Sequence, residues 1–567
     1  MLTFSASVAF FAVLLTWIIW KLARIGQRES TLPPGPPTVA LLGNVHLLPT
    51  QSIWMKLTEW AREYGDFYSL KLGSDTAIVL TSMKAVKELL DQQSGLTSDR
   101  PKSYFAETTF EGLHAATMSY NNTLRLFRKT MQPMLNSSGA IQHQPIQIAE
   151  ATQLMHDLLH SPNMSLLLDL FMEILISLTN HQRVYTHLER YSTSVTTSIV
   201  FGKRFPEYDC AEVEGIFQSL NATARIFEPG AHPPVDQLPI LNYIPDRWAK
   251  WKRMAKWGNR LVRRIYFHLL SVAEDRVRDG KENGSFLEGV IKRREEYGLT
   301  RREVAFLGGV LLEGGVHTTS LFLQWMILSL IAFPEVQKKA QEEMDRVIGQ
   351  ERAPRLEDFA DLPYCRALVN ELHRFRPVAP ISIPHAMLDD GTYRNCFLLK
   401  GTTLFMNAWG IYHDPDVYEN PEIFNPDRYL QNEFGAKPGV DVSDFRNNII
   451  FGSGRRICPG IHVANTSLAL NAMNLLWAFH FSPAIDSNTG KPVPVNILDL
   501  KNVSAVSFVN PNSKDLFLAP KSFSCSIKPR SVAHAAIIEE EFLAARTAFE
   551  KFESAPKELE RVDEVFV

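Results

Sequence analysis

The chain has 567 residues, 45% of them hydrophobic and 21% charged, and a formal net charge of −3. That is enough apolar material for a large buried core, and it excludes disorder as the dominant state. The near-neutral balance gives no reason to expect nucleic acid as a partner. The cysteines Cys210, Cys365, Cys396, Cys458 and Cys525 are odd in number and have no CxxC spacing. They argue against a disulfide framework or a zinc site and fit a reducing compartment.

The first twenty residues carry no charged side chain. As a helix they would span roughly 30 Å, the thickness of a bilayer's hydrocarbon core. Trp17 and Trp20 sit where an interfacial aromatic belt would lie, and Lys21, Arg24 and Arg28 follow. Positive charge on that flank predicts an anchor helix over 1–24, with the remaining chain cytoplasmic. A cleaved signal peptide is disfavoured by the missing basic n-region and the lack of a small-x-small cleavage site. Residues 25–37, basic and then LPPGPP, are expected to be a stiff hinge.

From 38 to 530 there is no low-complexity linker or internal repeat, which predicts one large domain. The clearest helical patterns are 82–93, 303–333 and 334–349. The second is apolar nearly all round and is expected to run through the core. The third opens on Pro334 and ends at Gly349, as helices do. Strand-like runs at 67–73, 76–82 and 396–401 are short. The fold class is therefore mainly α with small β-sheets. Seven Asn-x-Ser/Thr sequons are chance matches if the body is cytoplasmic. Residues 531–567 change character: Ile538, Phe542, Ala545, Phe549 and Phe552 form one stripe of an acidic amphipathic extension, suited to dock on the chain's own surface or on a partner helix.

The stretch FGSGRRICPG at 451–460 places one cysteine in a tight basic turn. Pro459 and Gly460 lead into a helical pattern, with Pro459 expected at its first position and Cys458 at its N-terminus, where free N–H groups favour an anion. Gly452, Gly454 and Gly460 would let backbone approach something flat, and Arg455 and Arg456 offer cations to acidic groups on it. No local base suits a cysteine nucleophile. A haem whose iron is ligated by the Cys458 sulfur accounts for every feature.

The stretch resembles the Phe-x-x-Gly-x-Arg-x-Cys-x-Gly signature of the cytochrome P450 haem-thiolate monooxygenases, with Phe451, Gly454, Arg456, Cys458 and Gly460 in the fixed positions. ELHR at 371–374 resembles the family's Glu-x-x-Arg, and PEIFNPDRY at 421–429 the segment that supplies a second arginine. The resemblance implies a buried network of Glu371, Arg374 and Arg428. EGGVHTTS at 313–320 is similar to the family's distal segment, where Gly314 and Gly315 would open a local bulge for dioxygen and Thr318 would handle protons. Alone, the two glycines could equally serve close helix packing. His317 stands where an acid is usual. Glu313, four residues earlier, could join it in a relay to Thr318, or His317 could be satisfied by packing. At 121–129, Arg128 keeps a propionate-binding cation while Leu124 replaces the usual Trp. Propionates would then lean on Arg128, Arg456 and His385.

The implied protein is a single large haem b domain of the P450 fold behind an N-terminal transmembrane helix, similar to fungal microsomal members of secondary metabolism. It would oxidise a hydrophobic small molecule (a terpenoid, polyketide or alkaloid) with O2 and electrons from an NADPH-dependent flavoprotein reductase, at the endoplasmic reticulum membrane. Substrate contacts would come from 101–118, Leu311, Leu312 and 378–382. A non-redox haem-thiolate isomerase or dehydratase, and a haem-binding protein without turnover, are the alternatives.

Overall fold

The structure, a computed structural model of the chain, describes residues 10, 12–17, 20, 24–49, 51–160, 173–228, 230–447, 449–486, 488–495, 497–498, 517–521, 523–553 and 559. Much of the expected anchor lies outside them; residues 10, 12–17, 20 and 24 are helical, with Phe10, Val13, Leu15, Trp17 and Trp20 exposed. The Pro-rich segment is tied to the body. Ser69 N–H donates to Pro34 O at 2.9 Å, and Arg28 donates to the carbonyls of Gly35 and Pro36.

Among the described residues, the long helices are α1 (Ile53–Tyr64), α2 (Asn122–Leu135), α3 (Gln144–Leu159), α4 (Glu173–Phe201), α5 (Ala211–Phe227), α6 (Lys250–Arg278), α7 (Arg301–Ala332), α8 (Pro334–Val347), α9 (Pro363–Phe375), α10 (Ile461–Ala478) and α11 (Val532–Glu550). Strands are few and short: β1 (Phe67–Leu72), β2 (Asp75–Leu80), β3 (His385–Ala386), β4 (Gly391–Tyr393), β5 (Cys396–Leu398), β6 (Thr403–Met406), β7 (Phe479–Pro483) and β8 (Cys525–Pro529). One sheet has the order β1-β2-β6-β3, with β2 and β6 parallel and the other pairs antiparallel. β4 pairs with β5, and β7 with β8. The expected helix at 82–93 is a single α-turn that widens into a π-helical stretch over Lys87–Gln92.

α7 is the axis of the core. Thr300 caps it through a reciprocal box with Glu303, and it stops at Phe333 because Pro334 disfavours helical backbone before it. Every residue from Ser320 to Ile331 is buried. By length and composition this is the one helix among the described residues that could cross a membrane, yet its apolar window is 72% buried inside the protein. Its place is the core.

The extension docks on the protein itself. Phe542, Ala545 and Phe552 pack against the core, Ile538 and Phe549 are buried, and the Arg204 guanidinium sits 3.7 Å from the Phe549 ring centroid. Four sequon asparagines are also absorbed by structure: Asn121 and Asn136 cap helices, and Asn221 and Asn283 are buried.

Candidate active site

The cysteine turn closes on itself through Cys458 N–H donating to Phe451 O at 2.8 Å. Gly454 has φ +57°, and a Cβ there would lie 2.2 Å from Leu90 O, while its N–H donates to Asp91 Oδ1 at 2.7 Å. Only glycine fits a left-handed position pressed against backbone. The Leu90 carbonyl is by itself enough to demand glycine at 454. α10 begins at Ile461, which puts Pro459 outside the first turn and makes Gly460 the N-cap. Burial pushes the Cys458 thiol above its ordinary value, opposed by the Gly460 N–H bonded to sulfur and by the Arg128 guanidinium.

Three guanidiniums converge beside this turn. Arg456 donates to the carbonyls of Ser98, Ala115 and Met118 at 2.7, 3.1 and 2.7 Å. Arg128 donates to Ile457 O at 2.9 Å. Arg100, which the sequence reading did not single out, donates to Ala116 O, Ile383 O and Pro384 O. Burial drives Arg100 well below its usual value, with Arg456 and Arg128 adding repulsion, and Arg456 falls to about 10 for the same first reason. His385, on β3, shares Nδ1 with Thr97 O at 2.8 Å and is pushed down to about 3 by burial and Arg100. Among the described residues none of the three arginines has an ion pair; Asp99 is the acid nearby, and its Oδ1 accepts from Tyr120 N–H. Leu124, in the expected Trp position, is buried in the core.

The EGGVHTTS segment lies on α7. Gly314 is exposed and a Cβ on it would meet nothing within 4 Å, whereas a Cβ on Gly315 would press on Thr196 of α4 at 2.5 Å. The two glycines therefore differ: one leaves room, the other lets helices touch. No bulge forms, since α7 is helical throughout and Thr318 Oγ1 donates to Gly314 O at 2.7 Å. Glu313 is directed to two residues outside α7. Tyr266 Oη donates to Oε1 at 2.5 Å, and His114 Nε2 lies 3.2 Å from Oε2. His317 packs near the Phe217 ring, 6.1 Å between centroids, and burial pushes it down to about 4, opposed by Glu313. Burial thus favours the neutral ring.

A comparison with known proteins decides the family. The cytochrome P450 family model matches residues 33–498. The chain belongs to the cytochrome P450 family. It is 39% identical to a cytochrome P450 monooxygenase of Armillaria gallica over 98% of this chain and 100% of that one. It is 37% identical to the cytochrome P450 monooxygenase yanC of Aspergillus niger, over 93% and 94%, and 37% identical to atE of Aspergillus terreus, over 85% and 86%. It is a P450 enzyme, and its cofactor is haem b.

The residues present fit that cofactor. Burying a guanidinium without an anion is costly, and here two buried ones, Arg100 and Arg456, share one region with the half-buried Arg128, with carbonyls as their partners. The two carboxylates of a haem would supply that charge. A thiol held up by burial likewise becomes a thiolate when a cation binds it.

Behind the P450 turn, α9 carries Glu371 and Arg374, both fully buried. Arg374 holds both carboxylate oxygens of Glu371 at 2.8 Å and donates to Tyr412 O and Pro421 O at 2.9 Å. Arg428 Nε lies 3.1 Å from Glu371 Oε2, and Asn425 N–H donates to Oε1 at 2.8 Å. His373, between them in sequence, packs edge-on to Phe451 at 5.7 Å between ring centroids. The network thus braces the cysteine turn through α9.

Proposed function

We propose that the chain is a membrane-anchored monooxygenase that places one oxygen atom of O2 on a hydrophobic small molecule, a step of fungal secondary metabolism. Electrons would come from NADPH through a flavoprotein reductase. The observation that carries this reading is the sulfur turn flanked by three guanidiniums bonded to backbone carbonyls and without an ion pair, two of them buried. Cys458 would ligate the iron, and haem so ligated supplies the oxygen-activating chemistry. Arg100, Arg128, Arg456 and His385 would hold the propionates. Phe451, Gly454 and Gly460 keep the turn in shape. Gly314 leaves room, and Thr318 Oγ1, now donating to Gly314 O, keeps lone pairs for a proton or water on the open side.

Arg100→Ala then loses haem at least tenfold faster to a scavenger than wild type, the size of one charge-assisted hydrogen bond of roughly 1.5–3 kcal/mol, while Arg100→Lys loses it less. Unchanged loss in both would remove Arg100 from the site.

Other surfaces support the remaining parts. Ile240, Tyr243 and Trp248, between α5 and α6, are 73%, 86% and 66% exposed beside the exposed Arg247, as on a surface that meets lipid. Exposed Arg125, Lys129 and Arg455 lie near the cysteine turn and offer charge to an acidic reductase. Along the 101–118 segment runs a cavity of about 460 Å³ lined by Lys102, Glu107, Glu111 and Met118, whose charge suits an entrance better than an apolar chamber.

The direct test is product analysis after co-expression with a reductase. Turnover without NADPH would instead support a non-redox isomerase, a reading favoured by one observation: Glu313 is held by Tyr266 and His114 rather than by His317. His317→Asp and His317→Ala address the proton path. If His317 passes protons to Thr318, alanine lowers product per NADPH several-fold and aspartate restores it; equal coupling in both assigns the histidine to packing alone.

A further inference from the structure

His156 in the last turn of α3 and His160 at its C-cap are four residues apart, and Glu539 of the docked α11 reaches both. Nε2 of His160 lies 2.5 Å from Glu539 Oε1, and Nε2 of His156 lies 3.6 Å from Oε2. All three donor atoms fall within 4.8 Å of one another. The two imidazole rings are 4.5 Å apart between centroids.

A neutral ring N–H donating to Glu539 accounts for the His160 contact, and Asp157 is a second carboxylate beside His156, but neither explains why Nε2 of His156 is also turned toward the Glu539 carboxylate, 3.6 Å away. Two neutral imidazoles and a carboxylate converging on one point are the donor set of a zinc-class cation. Tetrahedral bonds of about 2.0–2.1 Å place donors roughly 3.3 Å apart. The His156–Glu539 spacing suits that as it stands. The His160–Glu539 contact would open by less than about 1 Å, and both side chains are about half exposed and can adjust.

The surroundings orient His156 for the task. Its ring stacks on Phe542 with centroids 3.9 Å apart and planes 16° from parallel. Its Nδ1 faces Asp157 Oδ1 at 3.9 Å, and Arg190 Nε fixes the other Asp157 oxygen at 2.9 Å. At 3.9 Å the Nδ1 contact is longer than a hydrogen bond, but it puts a carboxylate on the Nδ1 side of the ring, where a ligating histidine has its outer-shell partner. Nε2 is then the atom turned toward Glu539.

We propose that His156, His160 and Glu539 form a binding site for a divalent cation of the zinc class, completed by water, which pins the C-terminal helix to α3. The cysteine count gave no such site, because its donors are imidazole and carboxylate and come from positions 379 residues apart in sequence. The cation is structural and lies on the helix-docking seam.

The test uses the full-length holoprotein, in which haem occupies Cys458, stripped with a chelator and titrated with Zn²⁺ alone. One equivalent binds saturably, raises the melting temperature and slows proteolysis of the C-terminal helix. His160→Ala, whose side chain is 56% exposed and whose loss leaves the fold intact, and Glu539→Gln each weaken binding at least tenfold and abolish the thermal shift. His462→Ala, an exposed histidine elsewhere, changes neither. Absence of a saturable equivalent in wild type, or the same affinity in His160→Ala and Glu539→Gln, overturns the site and leaves a histidine–carboxylate contact only.

Discussion

Cys458→Ala abolishes the red-shifted Soret band of the dithionite-reduced, CO-bound protein and all oxygenated product, while the polypeptide stays folded. The fold survives because the closure of the turn is a backbone matter. Cys458 donates its N–H to Phe451 O, and Gly454 keeps its contacts with Leu90 and Asp91, whatever side chain stands at 458. Loss of one part-exposed thiol removes about 1 kcal/mol of burial at most. The chemical loss is total because no other described cysteine can substitute. Cys365 is buried beside α8, and Cys210, Cys396 and Cys525 lie on other elements. Arg100, Arg128 and Arg456 remain in the variant, so haem can still bind weakly, and its CO complex reports the missing sulfur directly. A thiolate-type band in Cys458→Ala would remove the sulfur from the iron and with it the proposed chemistry.

What the sequence made legible follows from how far apart the causes lie. The turn at 451–460 could be read because its cysteine, arginines and glycines are neighbours in the chain, and α7 and α8 because apolar period and Pro334 are local signals. A reason for Gly454 was hidden, since the backbone that forbids a side chain there comes from Leu90, more than 360 positions earlier. Glu313 was read with His317, its neighbour on the same helix. In the fold its carboxylate goes to His114 and Tyr266, brought in by the 101–121 segment and by α6. Arg100 had no local signal at all; its role arises where three chain segments meet. β3, β4 and β5 have two or three residues each and exist by tertiary pairing rather than propensity. The apolar stripe of α11 was visible, but its seat on α3 was not.

Glu371→Gln is expected to prevent accumulation of holoprotein altogether. The Glu371 carboxylate is fully buried and accepts from Arg374 twice, from Asn425 N–H, and lies against Arg428 Nε. The amide removes the charge that compensates two guanidiniums and turns one acceptor into a donor facing donors. Breaking a buried pair in this way costs about 3–5 kcal/mol, a large share of the about 5–15 kcal/mol that a folded protein has in hand. Arg374→Lys fails nearly as badly, because an ammonium cannot hold both oxygens and the carbonyls of Tyr412 and Pro421 as well. Arg428→Lys is the mildest, since that side chain is 7% exposed and its other donors go to Glu419 O and Ile423 O. The defect reaches the haem side through α9, where His373 packs on Phe451 at the head of the cysteine turn. The measurement is the ratio of CO-difference signal to total protein, together with the denaturation midpoint. Both should fall in the order Arg428→Lys, Arg374→Lys, Glu371→Gln, and wild-type values in Glu371→Gln would show that the turn stands without its brace.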